Sequence, residues 1–269
     1  MKKNKTEPNS WAIVTGASKG IGYGYCEQLL TQGWNIIAVA RNTDPLNHLS
    51  KKFPNQTILK INLDLSNLDN CDELFKLTKD LDVSLLINNA GYGVLGDFQS
   101  SNLEKELNML DLNIRSLHKL SKIYVNHFFN KQKGRIINIS SVAAFLPGPG
   151  FASYYASKAY VLNLGTAINY ELIKGKSKVR LITICPGPIK TEFWNRSKGE
   201  TGTSKSNTEL KNKSVDKFVK SSLNKALKAK RRSYFIIGFN NIFLNKMLNI
   251  VPKSWAMRVV YKYNKKKNK

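Results

Sequence analysis

Residues 11–22 read WAIVTGASKGIG. Trp11–Thr15 form a short apolar run of the kind that makes a buried strand, and Gly16, Gly20 and Gly22 then break the pattern before a helical segment begins. A strand, a glycine-punctuated turn and a helix in that order make one unit of an alternating fold. Six more runs rich in Ile, Val and Leu follow at intervals: WNIIAVA (34–40), TILKINL (57–63), VSLLINN (83–89), RIINIS (135–140), VRLITIC (179–185) and YFIIG (234–238). Between them lie longer segments with helical spacing, such as Leu117, Leu120, Ile123, Tyr124 and Phe128. The sequence therefore predicts a doubly wound α/β fold, with one parallel sheet of seven strands covered by helices on both faces.

Ligands of such folds bind at the carboxyl ends of the strands, so the loops there carry the candidate chemistry. In TGASKGIG (15–22), glycines let backbone N–H groups approach a pyrophosphate at a helix N-terminus. The candidate cradle is Gly16, Ser18, Lys19, Gly20, Ile21 and Gly22. The second strand ends in Arg41 where an acid would grip the ribose of NAD. An arginine suits a 2′-phosphate, and with Lys19 it favours NADP(H) over NAD(H). Asp64 after the third strand is placed to accept from an adenine amino group, and equally to make an Asx turn or a helix cap. NNAG (88–91) brings Asn89, Ala90 and Gly91, small enough for close approach, with an amide able to tie neighbouring strands.

The stretch SYYASKAY (153–160) sets Tyr154 and Tyr155 side by side upstream of Lys158. Residues three and four apart share a helix face, so the lysine can reach either tyrosine.

TGASKGIG, NNAG, LDLN ending at Asn113, NISS ending at Ser141, YYASK (154–158) and PGPIKT (186–191) occur in the order found in short-chain dehydrogenases/reductases, and residues 11–191 resemble that family. The resemblance implies a tetrad of Asn113, Ser141, Tyr154 and Lys158, because its tyrosine stands thirteen residues after the serine and four before the lysine. Counting back from Tyr155 lands on Val142, which has no hydroxyl. It implies an NADP(H)-dependent oxidoreductase interconverting a carbonyl and a secondary alcohol. In that chemistry Tyr154 is acid and base, Ser141 stabilises the substrate oxygen, Lys158 lowers the tyrosine pKa and Asn113 supports a proton relay. It also implies cofactor contacts from Pro186, Gly187, Ile189 and Thr191, and a homodimer through helices near 115–131 and 151–174. The alternative is a non-catalytic NADPH-binding sensor, which has little need of four catalytic residues in register.

The chain of 269 residues is 42% hydrophobic and 23% charged, a globular composition. Its expected organisation is a basic extension over 1–10, a catalytic domain over 11–238 with a substrate lid at 195–214, and a basic helical tail over 239–269. The apolar run at the N-terminus is too short for a signal peptide or a membrane span, and three dispersed cysteines suit a reducing compartment, so the cytoplasm is expected. No metal-ligand spacing occurs. Of the +25 net charge, 16 lies beyond residue 197. No recognition motif for nucleic acid accompanies that charge. The tail has apolar residues at 242–251 and 255–261 around Pro252. Such a segment can pack on the body, cover the substrate pocket or make weak peripheral contact with an anionic membrane. Gly24, in the first helix, is expected to weaken it by about 1 kcal/mol.

Overall fold

The computed structural model describes residues 10–189, Phe193, Ser197 and 213–268. Most of the N-terminal extension, most of the expected lid and Thr191 lie outside the described residues. The seven expected strands all form: β1 (Trp11–Thr15), β2 (Asn35–Ala40), β3 (Ile58–Asn62), β4 (Val83–Asn88), β5 (Arg135–Ile139), β6 (Arg180–Cys185) and β7 (Tyr234–Ile236). They make one sheet in the order β3-β2-β1-β4-β5-β6-β7, with every pair parallel. The order reverses beside β1, between β1 and β4, which is where a doubly wound sheet opens a crevice for ligands.

The helices are α1 (Gly20–Thr31), α2 (Asn47–Lys52), α3 (Asp69–Thr78), α4 (Leu103–Leu110), α5 (Leu117–Lys131), α6 (Ala152–Lys174), α7 (Lys213–Lys228), α8 (Phe239–Ile250) and α9 (Lys253–Asn268). Successive strand side chains point to opposite faces, so each run of β-branched residues feeds two cores. On one face Val14, Ala38, Ile87, Ile137 and Ile184 pack with Leu29 of α1 and Phe218 and Leu223 of α7. On the other, Ile13, Ile37, Leu86, Ile136 and Leu181 pack with Leu74 of α3 and Tyr124 and Phe128 of α5. Both cores exclude water, so the sheet is a rigid platform for the loops at its carboxyl edge.

Gly24 has a packing reason that its helix propensity hides. A Cβ there would lie 3.0 Å from Val219 Cγ2 and 3.2 Å from Val215 Cγ1, so the glycine lets α7 close onto α1. One residue on, the Tyr25 hydroxyl meets Ser222 Oγ at 2.7 Å, joining the same two helices. The tail is two helices, broken at Val251 and Pro252. Among the described residues no helix is long and apolar enough to cross a membrane. Cys26, Cys71 and Cys185 are free and buried.

Candidate active site

The glycine loop is a tight fold between β1 and α1. Gly16 and Gly20 take φ of +65° and +55°, which only glycine adopts without strain. A Cβ on Gly22 would collide with the Gly16 carbonyl oxygen, and one on Gly16 would lie 2.9 Å from Ala90 Cα. Asn89 Nδ2 donates to the Thr15 carbonyl at 2.9 Å and the Gly16 carbonyl at 3.3 Å, so its amide ties β4 to β1 as its position suggested. The Thr15 hydroxyl in turn accepts from the Asn89 and Ala90 N–H groups, each at 3.0 Å. Lys19 is the N-cap of α1 without a side-chain cap bond, and no acid occupies the first turn. The positive pole of α1 thus faces the crevice uncompensated, and an anionic pyrophosphate fits that donor set.

Arg41 lies exposed just past β2, and its charge is felt by the Tyr92 phenol together with that of Asp64. Asp64 Oδ1 accepts from the Ser66 N–H at 3.0 Å and the Ser66 hydroxyl at 2.8 Å. The Asx-turn explanation of Asp64 therefore holds, and that oxygen serves the turn.

Tyr154 and Lys158 sit one turn apart on α6, both buried. The Ser141 side chain acts on the Tyr154 phenol to favour its ionisation, and the Lys158 ammonium lies 5.7 Å from the Tyr154 ring centroid. Ser141 begins the turn after β5, where its Oγ accepts from the Ala143 N–H at 3.1 Å. Lys158 Nζ donates to the Ile139 carbonyl at 3.0 Å, and the Ser140 hydroxyl donates to the Lys158 carbonyl at 2.7 Å. Ser140, the neighbour of Ser141, thereby secures the helix that carries the lysine.

Burial dominates both ionisations. It pushes the Tyr154 phenol above its ordinary value, opposed by the Ser141 side chain, and pushes Lys158 down to about 8. Inside the protein alone, desolvation disfavours both charges.

Asn113 lies in a π-helical turn, Asp111–Ser116, between α4 and α5. Its Nδ2 donates to the Tyr92 carbonyl at 2.9 Å and to Ser157 Oγ at 3.2 Å, while its Oδ1 accepts from the Tyr92 N–H at 3.2 Å. A Cβ on Gly91 would meet Asn113 Oδ1 at 2.7 Å and Lys158 Nζ at 3.6 Å, so Asn113, Lys158 and the NNAG loop converge. After β6 the Pro186 carbonyl accepts from the Val142 N–H at 2.9 Å, holding the Pro186–Gly187 turn against the Ser141 loop. Ile189 packs against the core beneath α1.

Several residues of this site escaped sequence reasoning. Phe151 stacks on Tyr154 at 4.5 Å between centroids, and Phe193 approaches the same ring at 5.3 Å. A Cβ on Gly93 would collide with Phe151, so that glycine makes room for the aromatic wall. Tyr155 turns toward the tail, where Asn264 of α9 acts on its phenol. Asn264 Nδ2 also donates to the Pro149 carbonyl at 3.0 Å. Aromatic residues near a motif were the available signal, but only the fold tells a wall from a core.

A family model described as short chain dehydrogenase matches residues 10–201. An uncharacterised oxidoreductase of Schizosaccharomyces pombe is 34% identical over 187 residues, 68% of this chain and 62% of that protein, so the match spans less than two thirds of that relative. A 7beta-hydroxysteroid dehydrogenase of Clostridium sardiniense is 30% identical over 191 residues, 70% of this chain and 72% of that one. The structure of a short-chain dehydrogenase from Sphingobium yanoikuyae in complex with NADPH superposes with a TM-score of 0.73 at 25% identity, covering 91% of this chain and 96% of that one. The family match covers the strands and loops that build the crevice, and with it the chain belongs to the short-chain dehydrogenase family of oxidoreductases.

Proposed function

We propose that this oxidoreductase interconverts a secondary alcohol and a carbonyl with NADP(H), through Tyr154 as acid and base. The reading rests on one observation: the Lys158 ammonium lies 5.7 Å from the buried Tyr154 ring, one turn away on α6, and the Ser141 side chain favours ionisation of the same phenol. When bound, NADP(H) supplies the hydride and, once oxidised, a positive charge that helps offset the burial of the tyrosinate.

Ser141 donates to the substrate oxygen as charge develops there, and Tyr154 delivers the proton. Lys158 remains mostly protonated at neutral pH, with its pKa near 8, and so keeps a cation beside the phenol. Asn113 fixes the Tyr92 backbone as the wall beside Lys158 along which a proton relay runs to solvent. The loop Gly16 to Gly22, with Asn89, Ala90 and Gly91 shaping it, holds the pyrophosphate. Arg41 and Lys19 favour the 2′-phosphate of NADP(H). Pro186, Gly187, Ile189 and Thr191 orient the nicotinamide. Phe151, Tyr155 and Phe193 make the wall apolar, which suits a bulky apolar carbonyl or alcohol, as the name of the Clostridium relative also does.

Exchanging each tyrosine in turn tests the assignment. Tyr154→Phe should lower turnover by about 10²- to 10⁴-fold with cofactor affinity retained, the range general acid–base catalysis supplies. Tyr155→Phe should keep most of the activity. Equal losses in the two variants would refute the role of Tyr154.

A further inference from the structure

The two C-terminal helices wear their apolar residues outward. On α8, Phe239, Phe243 and Met247 recur every fourth residue and are exposed, together with Leu244. Asn241 turns inward, where it fits against Gly187 and donates to the Ile237 carbonyl at 2.7 Å, and Ile242 beside it is half-buried. A helix folded only to cover the body would have the opposite arrangement.

On α9 three parallel rows run at four-residue spacing. Ala256, Val260 and Asn264 face the protein, with Ala256 and Asn264 buried. Trp255, Val259 and Tyr263 are 56%, 46% and 40% exposed. Beside them Arg258, Lys262 and Lys266 are exposed as well. Residues 239–269 contain eight Lys and Arg and no acidic residue.

We propose that the outward faces of α8 and α9 form a docking surface for a lipid bilayer with anionic headgroups. Each half of that chemistry is needed. The exposed Phe, Leu, Met, Trp and Val side chains lose water on entering the acyl boundary, while the adjoining cations meet the headgroups. A second copy of this chain is a poor occupant, because pairing the same face would bring two clusters of cations together. Nucleic acid would satisfy the cations but leave the aliphatic rows of α8 and α9 in water.

Docking there brings the site mouth to the membrane. Asn264 and Tyr261 of α9 lie against Gly150, and the Gly150 carbonyl accepts from the Gly96 N–H at 3.0 Å, so α9 belongs to the rim that precedes the Tyr154 helix. Apolar substrates dissolved in lipid would then reach the crevice with little exposure to water. The proposal stands on the exposed rows and holds whether or not the catalytic roles above do.

Flotation of the full chain with vesicles tests it, using phosphatidylcholine alone and phosphatidylcholine mixed with phosphatidylserine. Binding is expected only to the mixed vesicles, weakening as salt is raised, with a blue shift of tryptophan emission that Trp255→Phe removes. Exchange of exposed side chains in Phe243→Ser/Val259→Ser should leave the fold intact by circular dichroism and lower the partition coefficient by about tenfold or more. Failure of the parent to bind at low salt would overturn the proposal. So would equal binding by parent and double variant, which would mark the surface as a plain polycation open to nucleic acid.

Discussion

Replacing Lys158 by methionine should make the protein more stable while destroying its activity. The ammonium is buried, and desolvation lowers its pKa from an ordinary 10.5 to about 8, which corresponds to roughly 3 kcal/mol of bias against the charged form. Methionine has nearly the same shape and no charge to desolvate. The variant loses the hydrogen bond to the Ile139 carbonyl, at a cost of about 1 kcal/mol. The expected net gain at pH 7 is therefore about 2 kcal/mol, or about 5 °C in Tm for a chain of this size. Its pH dependence has a definite sign. Between about pH 8 and 10.5 the unfolded lysine still binds a proton that the folded one has released, so parent stability rises with pH through that window. The advantage of Lys158→Met should shrink by roughly 2 kcal/mol between pH 7 and pH 9.5. Denaturant unfolding of parent and variant at both pH values measures it. A variant less stable than the parent at pH 7, or an advantage that does not change with pH, would refute the reasoning.

If Arg41 holds the 2′-phosphate as proposed, Arg41→Asp should weaken NADPH binding by about tenfold to a hundredfold in fluorescence titration while NADH binding changes little, because an acid repels that phosphate. Equal affinities for the two cofactors in the parent would remove the basis for that choice. Gly24→Ala should fail to give the gain of up to about 1 kcal/mol that alanine brings inside a helix, and should instead cost about 1 kcal/mol as its methyl pushes on Val215 and Val219. A double-mutant cycle with Val219→Ala should show favourable coupling; a stabilised Gly24→Ala would show that α7 yields freely.

The strands were legible because each is a run of Ile, Val and Leu bounded by turns, and a strand buried on both faces needs nothing else. The spacing of Ser141, Tyr154 and Lys158 was legible through the family resemblance, and helix geometry adds only that Tyr154 and Lys158 stand one turn apart on α6. The π turn at Asp111–Ser116 was not legible. Nothing local in DLNIRS asks for it, and its Asn113 is tied across the fold to Tyr92 and Ser157, more than twenty residues away in either direction. The packing role of Gly24 was not legible for a related reason: helix propensity is local, whereas the valines it accommodates come from a helix some 190 residues later. The apolar row of the tail was visible as a row, but a sequence has no marker for inside and outside. Asn241 decides the direction, since Gly187 leaves space for a carboxamide and the Ile237 carbonyl accepts from it, so Phe243 and Met247 face out.

The paired tyrosines show how one site and one tail share a helix. Adjacent residues on α6 are turned about 100° from each other, so Tyr154 and Tyr155 point to different parts of the molecule. Tyr154 turns to Ser141, and Tyr155 turns to Asn264 and packs its ring where a Cβ on Gly148 would fall. Phe151 contacts both rings, stacked on one and edge-on to the other. A displacement of α9 therefore bears on Tyr155 and, through Phe151, on the ring whose hydroxyl would carry the proton. Tail and tyrosine are joined by packed side chains, a contact chain that a docking surface on α9 would load directly.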